Sequence, residues 1–254
     1  MIRYFPVLLS FLLFISCMEA SKKEAMVVAT NAWTAAYART AGAKNVVTLA
    51  PMEMAHPAEY ELRAVDIPLV MHAKLIIYAG YETMVNRLQN SMELKKEVLQ
   101  KIDTDYDMET IEKSVMEIAQ RLGTEKEALQ NLDSIRSLLL EGRAQFDKTG
   151  MNGSPVLVNF FQQAIVKEMG FEIAGVFGPA ALEAGDIDRM VQLRSVMIID
   201  NEHNPVGKPL LKANPSLEYR QLLNFPGMHQ TKTLQEVIQY NLQQLSSLSG
   251  NKEQ

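Results

Sequence analysis

The spacing of apolar positions changes character twice along the chain. Short apolar runs bounded by glycine or proline lie in "AMVVAT" (Met26 to Thr30), in "NVVTLA" before Pro51, and in "AKLIIYAG" from Ala73 to Gly80. Between the first two, "NAWTAAYARTAG" mixes small and aromatic residues and predicts a helix ending at Gly42. Brief apolar strands alternating with helical segments predict parallel βαβ units. From about Asp107 to Phe146 the strand signal stops and apolar residues recur at helical spacing. Ile111, Val115, Ile118 and Leu122 form one stripe; Leu129, Leu132, Ile135 and Leu139 form a second. Gly123 separates the two helices, and Thr124 with Glu127 has the form of a capping box. The second helix should run about two dozen residues, long for a globular domain and suited to a rigid connector.

Alternation then resumes. "SPVLVN" (Ser154 to Asn159) predicts a strand, "FFQQAIVKEMG" a helix closed by Gly170, and "FEIAGVFG" a further strand. A helix over Asp186 to Leu193, the strand "SVMIID" (Ser195 to Asp200) and a last helix "TLQEVIQYNLQQLSSL" complete the chain. The predicted fold class is α/β: two βα-rich lobes with mainly parallel sheets, joined by one long connecting helix, with a ligand crevice between them. The N-terminal lobe is set at 26–122, the connecting helix at 123–148, the C-terminal lobe at 149–248 and a polar tail at 249–254. In open α/β sheets ligands lie beyond the carboxyl ends of the strands, so the loops there are the candidates.

Composition narrows the function classes. A length of 254 residues suits one large domain or two lobes. Hydrophobic residues at 47% and charged residues at 22% are ordinary for a globular protein. A formal charge of −5, without a basic patch carrying aromatics, excludes nucleic acid as the expected partner. The opening "MIRYFPVLLSFLLFISC" has one basic residue, Arg3, then an apolar run to Ile15 broken by Pro6 and Ser10. That run is short for a membrane span and fits a secretory h-region. It ends at Ser16-Cys17, the only cysteine, and resembles a bacterial lipobox with Phe14 where leucine is usual. The expectation is a signal peptide over 1–17, lipidation of Cys17 and a tether over 18–25. The protein would then be extracytoplasmic and anchored to a bacterial membrane, on its periplasmic side or at the cell surface. With no second cysteine, no disulfide framework is possible.

The order of "VVATNAW", "HPAEYELRAVDI", "AKLIIYAGYE", a mid-chain helix and "VNFFQQAIVKEMGFEIAGV" resembles the solute-binding lipoproteins of zinc and manganese ABC importers. These are the cluster A-I metal-binding proteins, and the resemblance spans nearly the whole mature chain. It implies a metal held between two lobes and handed to a permease and its ATPase, by a monomer without enzymatic activity. The transported ligand would be a divalent ion, zinc or manganese, with no organic cofactor. The family's first ligand motif resembles Asp-Pro-His-x-Tyr-Glu followed by Asp-Ile. Aligning Tyr60-Glu61 and Asp66-Ile67 puts Ala58 on the ligand histidine and His56 on the aspartate. The second histidine would fall near "DTDYDMET", the third on Asn159, and the acidic fourth ligand near Asn224. All four positions are replaced, and a histidine-rich loop is missing.

Zinc takes four nitrogen, sulfur or oxygen ligands, and manganese accepts more carboxylate. The remaining metal candidates are His56, His203, Glu202 and one of Asp105 or Asp107. His203 sits in "IIDNEHNP", where Asp200 to Asn204 crowd five polar side chains after a strand. A polar turn whose Asx residues bond their own backbone explains the same residues. Asn159, Trp33, Asn204, His229 and Asn224 are expected to line the cleft, although His229 also reads as a solvated loop histidine and Trp33 as core. His72 ends a helix and complements its dipole. The fifteen methionines scatter through helices and strands, which suits core packing better than copper. No phosphate loop, nucleophile elbow or His-Glu-x-x-His occurs, so catalysis finds no support. Two alternatives stand beside metal transport: a non-metal small solute on the same scaffold, or a surface adhesin without a transport role.

Overall fold

The computed structural model describes residues 26–90 and 94–246; Cys17, the tether and the polar tail lie outside them. In the N-terminal lobe β1 (Val27–Ala29), β2 (Val46–Thr48), β3 (Leu75–Tyr78) and β4 (Leu99–Lys101) form a parallel sheet in the order β2-β1-β3-β4. Helices α1 (Ala32–Thr40), α2 (Ile67–His72) and α3 (Val85–Asn90) connect its strands. The C-terminal lobe repeats the order. Its strands β5 (Pro155–Asn159), β6 (Glu172–Phe177), β7 (Met197–Asn201) and β8 (Glu218–Leu222) pair in parallel as β6-β5-β7-β8. Helices α6 (Gln163–Glu168), α7 (Ala184–Val191) and α8 (Lys208–Ala213) accompany them. The protein is therefore α/β with two all-parallel lobes, and in each the chain reverses its direction of winding beside the first strand. Such a reversal opens a crevice at the strands' carboxyl ends.

Two consecutive helices follow β4, and the second, long one joins the lobes. Helix α4 (Met108–Leu122) starts on Asp107, whose carboxylate accepts the Thr110 N–H at 2.8 Å, and stops at Gly123 with φ +71°. Helix α5 (Glu125–Thr149) follows at once, 25 residues long. Its predicted cap does not form: the Thr124 hydroxyl donates instead to the Ala41 carbonyl at 2.5 Å, tying α5 to α1. Leu132, Ile135 and Leu139 face inward, as predicted, whereas Leu129 is 46% exposed and Ala128 takes the buried place. The last helix, α9 (Leu234–Ser246), packs along α5. A Cβ on Gly142 of α5 would stand 2.6 Å from a Leu242 methyl, so the two helices meet without room for a side chain. One apolar cluster runs from Val27 and Ile77 through Leu132 and Ile135 to Val156, Ile199 and Val237. Each such buried aliphatic side chain contributes about 1.5–3 kcal/mol of apolar burial.

Strands β4 and β8 carry no apolar run in the sequence. Both are edge strands, paired on one side only, and both are largely polar: Leu99-Gln100-Lys101 and Glu218-Tyr219-Arg220-Gln221-Leu222. Polar and charged residues are how edges avoid further pairing, and they erase the pattern that marks a central strand. Among the described residues no helix is long and apolar enough to cross a membrane.

Candidate functional site

Loops at the carboxyl ends of both sheets enclose one cavity of about 420 Å³ between the lobes. The first lobe contributes Asn31 and Trp33 after β1, His56 to Glu59 after β2, and Tyr81 after β3. From the second come Phe161 after β5, Asn201, His203 and Asn204 after β7, and Asn224 and Phe225 after β8. At the rim the lobes touch main chain to main chain. A Cβ on Gly227, whose φ is +128°, would lie 2.0 Å from the Met52 carbonyl oxygen.

Each lobe fixes these loops with the same device, an asparagine and a buried carboxylate. Asn31 caps α1 by accepting the Thr34 N–H at 3.0 Å, and its Nδ2 donates to Glu82 Oε1 at 2.9 Å. Glu82 also accepts from the Thr30 hydroxyl (2.5 Å) and from the Ala79 (3.0 Å) and Gly80 (2.7 Å) N–H groups. In the second lobe Asn159 caps the turn after β5 by accepting the Phe161 N–H at 3.2 Å, and its Nδ2 donates to Asp200 Oδ1 at 3.0 Å. Asp200 further accepts from the Asn201 N–H (2.8 Å), the Gly207 N–H (2.6 Å) and the Tyr219 hydroxyl (2.7 Å). Burial, and then the Asp200 bond, push the Tyr219 hydroxyl far up, so it stays a donor. Four donors around each carboxylate replace the water lost on burial. Asn159 and Asp200 are consumed in this way and do not line the cavity.

His56, His203, Trp33, Asn204 and Asn224 line one wall system together. Glu202, Asp105 and His229 do not. Glu202 turns away, with Oε1 at 2.6 Å from His229 Nε2 and Oε2 accepting the Tyr240 hydroxyl at 3.1 Å. His229 stacks on Tyr240 with ring centres 4.6 Å apart, on a left-handed backbone with φ +50°. Asp105 is held by Tyr37, whose hydroxyl donates to its carbonyl at 2.5 Å, while its carboxylate accepts the Tyr106 N–H at 2.7 Å. Burial pushes that carboxyl up, against the Tyr106 bond. Asp107 caps α4, and His72 bonds the Pro68 carbonyl at 2.7 Å on the surface.

His203 carries the most definite chemistry. Its ring lies on Phe225 with centres 3.7 Å apart, and Nδ1 accepts the Asn224 N–H at 3.4 Å. An accepting Nδ1 puts the proton of neutral imidazole on Nε2. Burial pushes the pKa down to about 4, against the nearby Glu202 charge and with the help of His229, so the ring is neutral near pH 7. Trp33 stacks on Tyr106 with ring centres 5.6 Å apart. Trp33 Nε1, His203 Nε2 and Asn224 Oδ1 are all buried with no hydrogen-bond partner among the described residues. An orphaned buried polar atom costs about 1–3 kcal/mol, and these three belong to residues that line one cavity.

These donors do not suit a bare divalent ion. Among the described residues no group of three or more His, Cys, Asp or Glu side chains is placed to hold one. Among the described residues only Glu59 brings a carboxylate to the cavity wall, and His203 Nδ1 already accepts the Asn224 N–H. Among the lining residues that sequence reasoning passed over, Asn31, Tyr81, Phe161 and Phe225 lie within four residues of a strand's carboxyl end. That position was their available signal.

No protein-family model matches the chain, and no curated protein does. Solved structures do. The SBP FpvC of Pseudomonas aeruginosa in complex with Ni²⁺ superposes with a TM-score of 0.68 at 17% identity, over 88% of this chain and 96% of that one. Its Mn²⁺ complex gives 0.68 at 16%, over 88% and 97%. The Mn-bound periplasmic metal-binding protein of Candidatus Liberibacter asiaticus gives 0.62 at 14%, over 87% and 98%. At these identities the likeness speaks for architecture: this chain shares a two-lobed α/β fold with these structures.

Proposed function

We propose that this protein is an extracytoplasmic solute-binding protein of an ABC importer. It holds a small solute between its lobes and passes it, chemically unchanged, to a membrane permease driven by an ATPase. One observation carries this reading: three unpartnered polar atoms, Trp33 Nε1, His203 Nε2 and Asn224 Oδ1, belong to residues around one interlobe cavity at the winding reversals of both sheets. In this reading the chain acts as a monomer tethered through lipidated Cys17. A second reading has zinc or manganese as the cargo, with His56 and His203 as ligands. It is favoured by their shared cavity and by the Ni²⁺, Mn²⁺ and Cd²⁺ ions in the structural neighbours.

Thermal shifts of the purified chain test both. A ligand at a hundred times its Kd adds about 2.7 kcal/mol of stability. Organic solutes from a mixed library should raise Tm if the first reading holds, and Zn²⁺ or Mn²⁺, reversed by a chelator, if the second does. A chain that neither group stabilises is not a solute-binding protein, and the surface adhesin becomes the better account.

A further inference from the structure

Resting on the solute-binding reading, we infer that the interlobe cavity takes an uncharged organic solute with a flat ring body and a carbonyl-type acceptor beside a hydrogen-bond donor. Size is the first ground. Small-molecule pockets measure roughly 300–1,000 Å³, and this cavity of about 420 Å³ falls among them. A metal ion with ligands about 2 Å away would leave most of that space unfilled.

The second ground is the wall. Trp33, Tyr81, Phe161 and Phe225 bring four aromatic rings to it, drawn from both lobes. Aromatic walls favour flat, apolar bodies that stack or meet them edge-on. Charge is the third ground. Among the described residues no lysine or arginine lines the cavity, so a carboxylate or phosphate would find no countercharge there, and the one acidic side chain among them, Glu59, is exposed. A group with a full charge would lose its hydration without compensation.

The residues that carry the unpartnered atoms then specify the polar end; the atoms themselves are closed to water, so a solute reaches them as the wall side chains shift. Trp33 Nε1–H is a donor only. His203 Nε2 is a donor as well, because its Nδ1 already accepts the Asn224 N–H. Asn224 Oδ1 is an acceptor. Two donors and one acceptor complement a carbonyl with an adjacent N–H, the pattern of an amide or a lactam. The same tautomer works against a cation, since it turns a proton toward the place where a ligand lone pair would be required.

Trp33 is the only tryptophan in the chain, so its fluorescence reports on this cavity alone. The full chain is titrated with benzamide, nicotinamide, 2-quinolone and caffeine, with benzoate and benzamidine as charged counterparts, and with ZnCl₂ and MnCl₂. Uncharged amides and lactams should give a saturable change with Kd on the order of 1 mM or tighter. The charged counterparts should bind at least about tenfold more weakly. His203→Phe keeps a ring on Phe225 and removes the donor; Asn224→Leu removes the acceptor. Each should weaken the best amide by about threefold to tenfold, with circular dichroism confirming that the variant is folded. If Zn²⁺ or Mn²⁺ gives a saturable micromolar response and the amides give none, the assigned class is overturned while solute binding stands. If no probe moves Trp33, the assigned class is overturned, and solute binding itself is decided by the thermal shifts against the mixed library.

Discussion

The Asn224 N–H decides which nitrogen of His203 bears its proton, and burial decides that the ring is neutral. Stability should record this. The unfolded chain takes up a proton on His203 near pH 6.5, whereas the folded protein resists until about pH 4. The stability tied to this group is therefore intact above pH 6.5, declines as pH falls toward about 4, and is fully lost below. His203→Phe should shrink the fall in Tm between pH 6.5 and 4 relative to the parent, measured as a difference so that carboxylates titrating in the same range cancel. An unchanged slope would mean that His203 is not held neutral. The sequence displayed Asp200 to Asn204 as a dense set of donors but not how each is spent. Asp200 serves the backbone, Glu202 serves His229 and Tyr240, and only Asn201, His203 and Asn204 reach the cavity. The partners His229, Tyr240 and Tyr219 belong to the same lobe but lie well along the chain, so no local pattern reveals that division.

Among the elements, the central strands and long helices were legible because burial on every side leaves an apolar signature. β1, β3 and β5 fall inside the predicted runs, β7 overruns its own only by Asn201, and α5 has the expected length. Edge strands β4 and β8 were not legible because their residues are largely polar, whereas the edge strands β2 and β6 keep apolar runs and were read. The stripe on α5 was legible but began one residue late: Ala128, too small to stand out, takes the place expected for Leu129. The two positions give a direct test. Leu129→Lys should change stability by less than about 0.5 kcal/mol, while Leu132→Ala should cost about 2–5 kcal/mol in a urea melt. Equal costs would mean that α5 is rotated about its axis.

For the molecule as a whole, α5 is not the only link. Helix α9 lies along it and also reaches α1, and the apolar cluster is continuous from one sheet to the other. The cleft is thus carried on a shared core rather than on a bare hinge. Gly142 is the closest point of that core, and Gly142→Leu should cost about 1–3 kcal/mol through overpacking against Leu242. A neutral outcome would show that the two helices separate easily. The repeated asparagine–carboxylate device belongs to this scale too. Asn31 with Glu82 and Asn159 with Asp200 hold equivalent loops in the two lobes, although the sequences around them share no visible repeat.

The rim contact between Gly227 and the Met52 carbonyl has a consequence for selectivity. Side chains at a cleft edge can swing aside, but two stretches of backbone cannot pass through one another. The contact leaves the lobes no room to approach further at this point. In the solute-binding role proposed above, complexes with guests that fit the chamber should share a single closed shape.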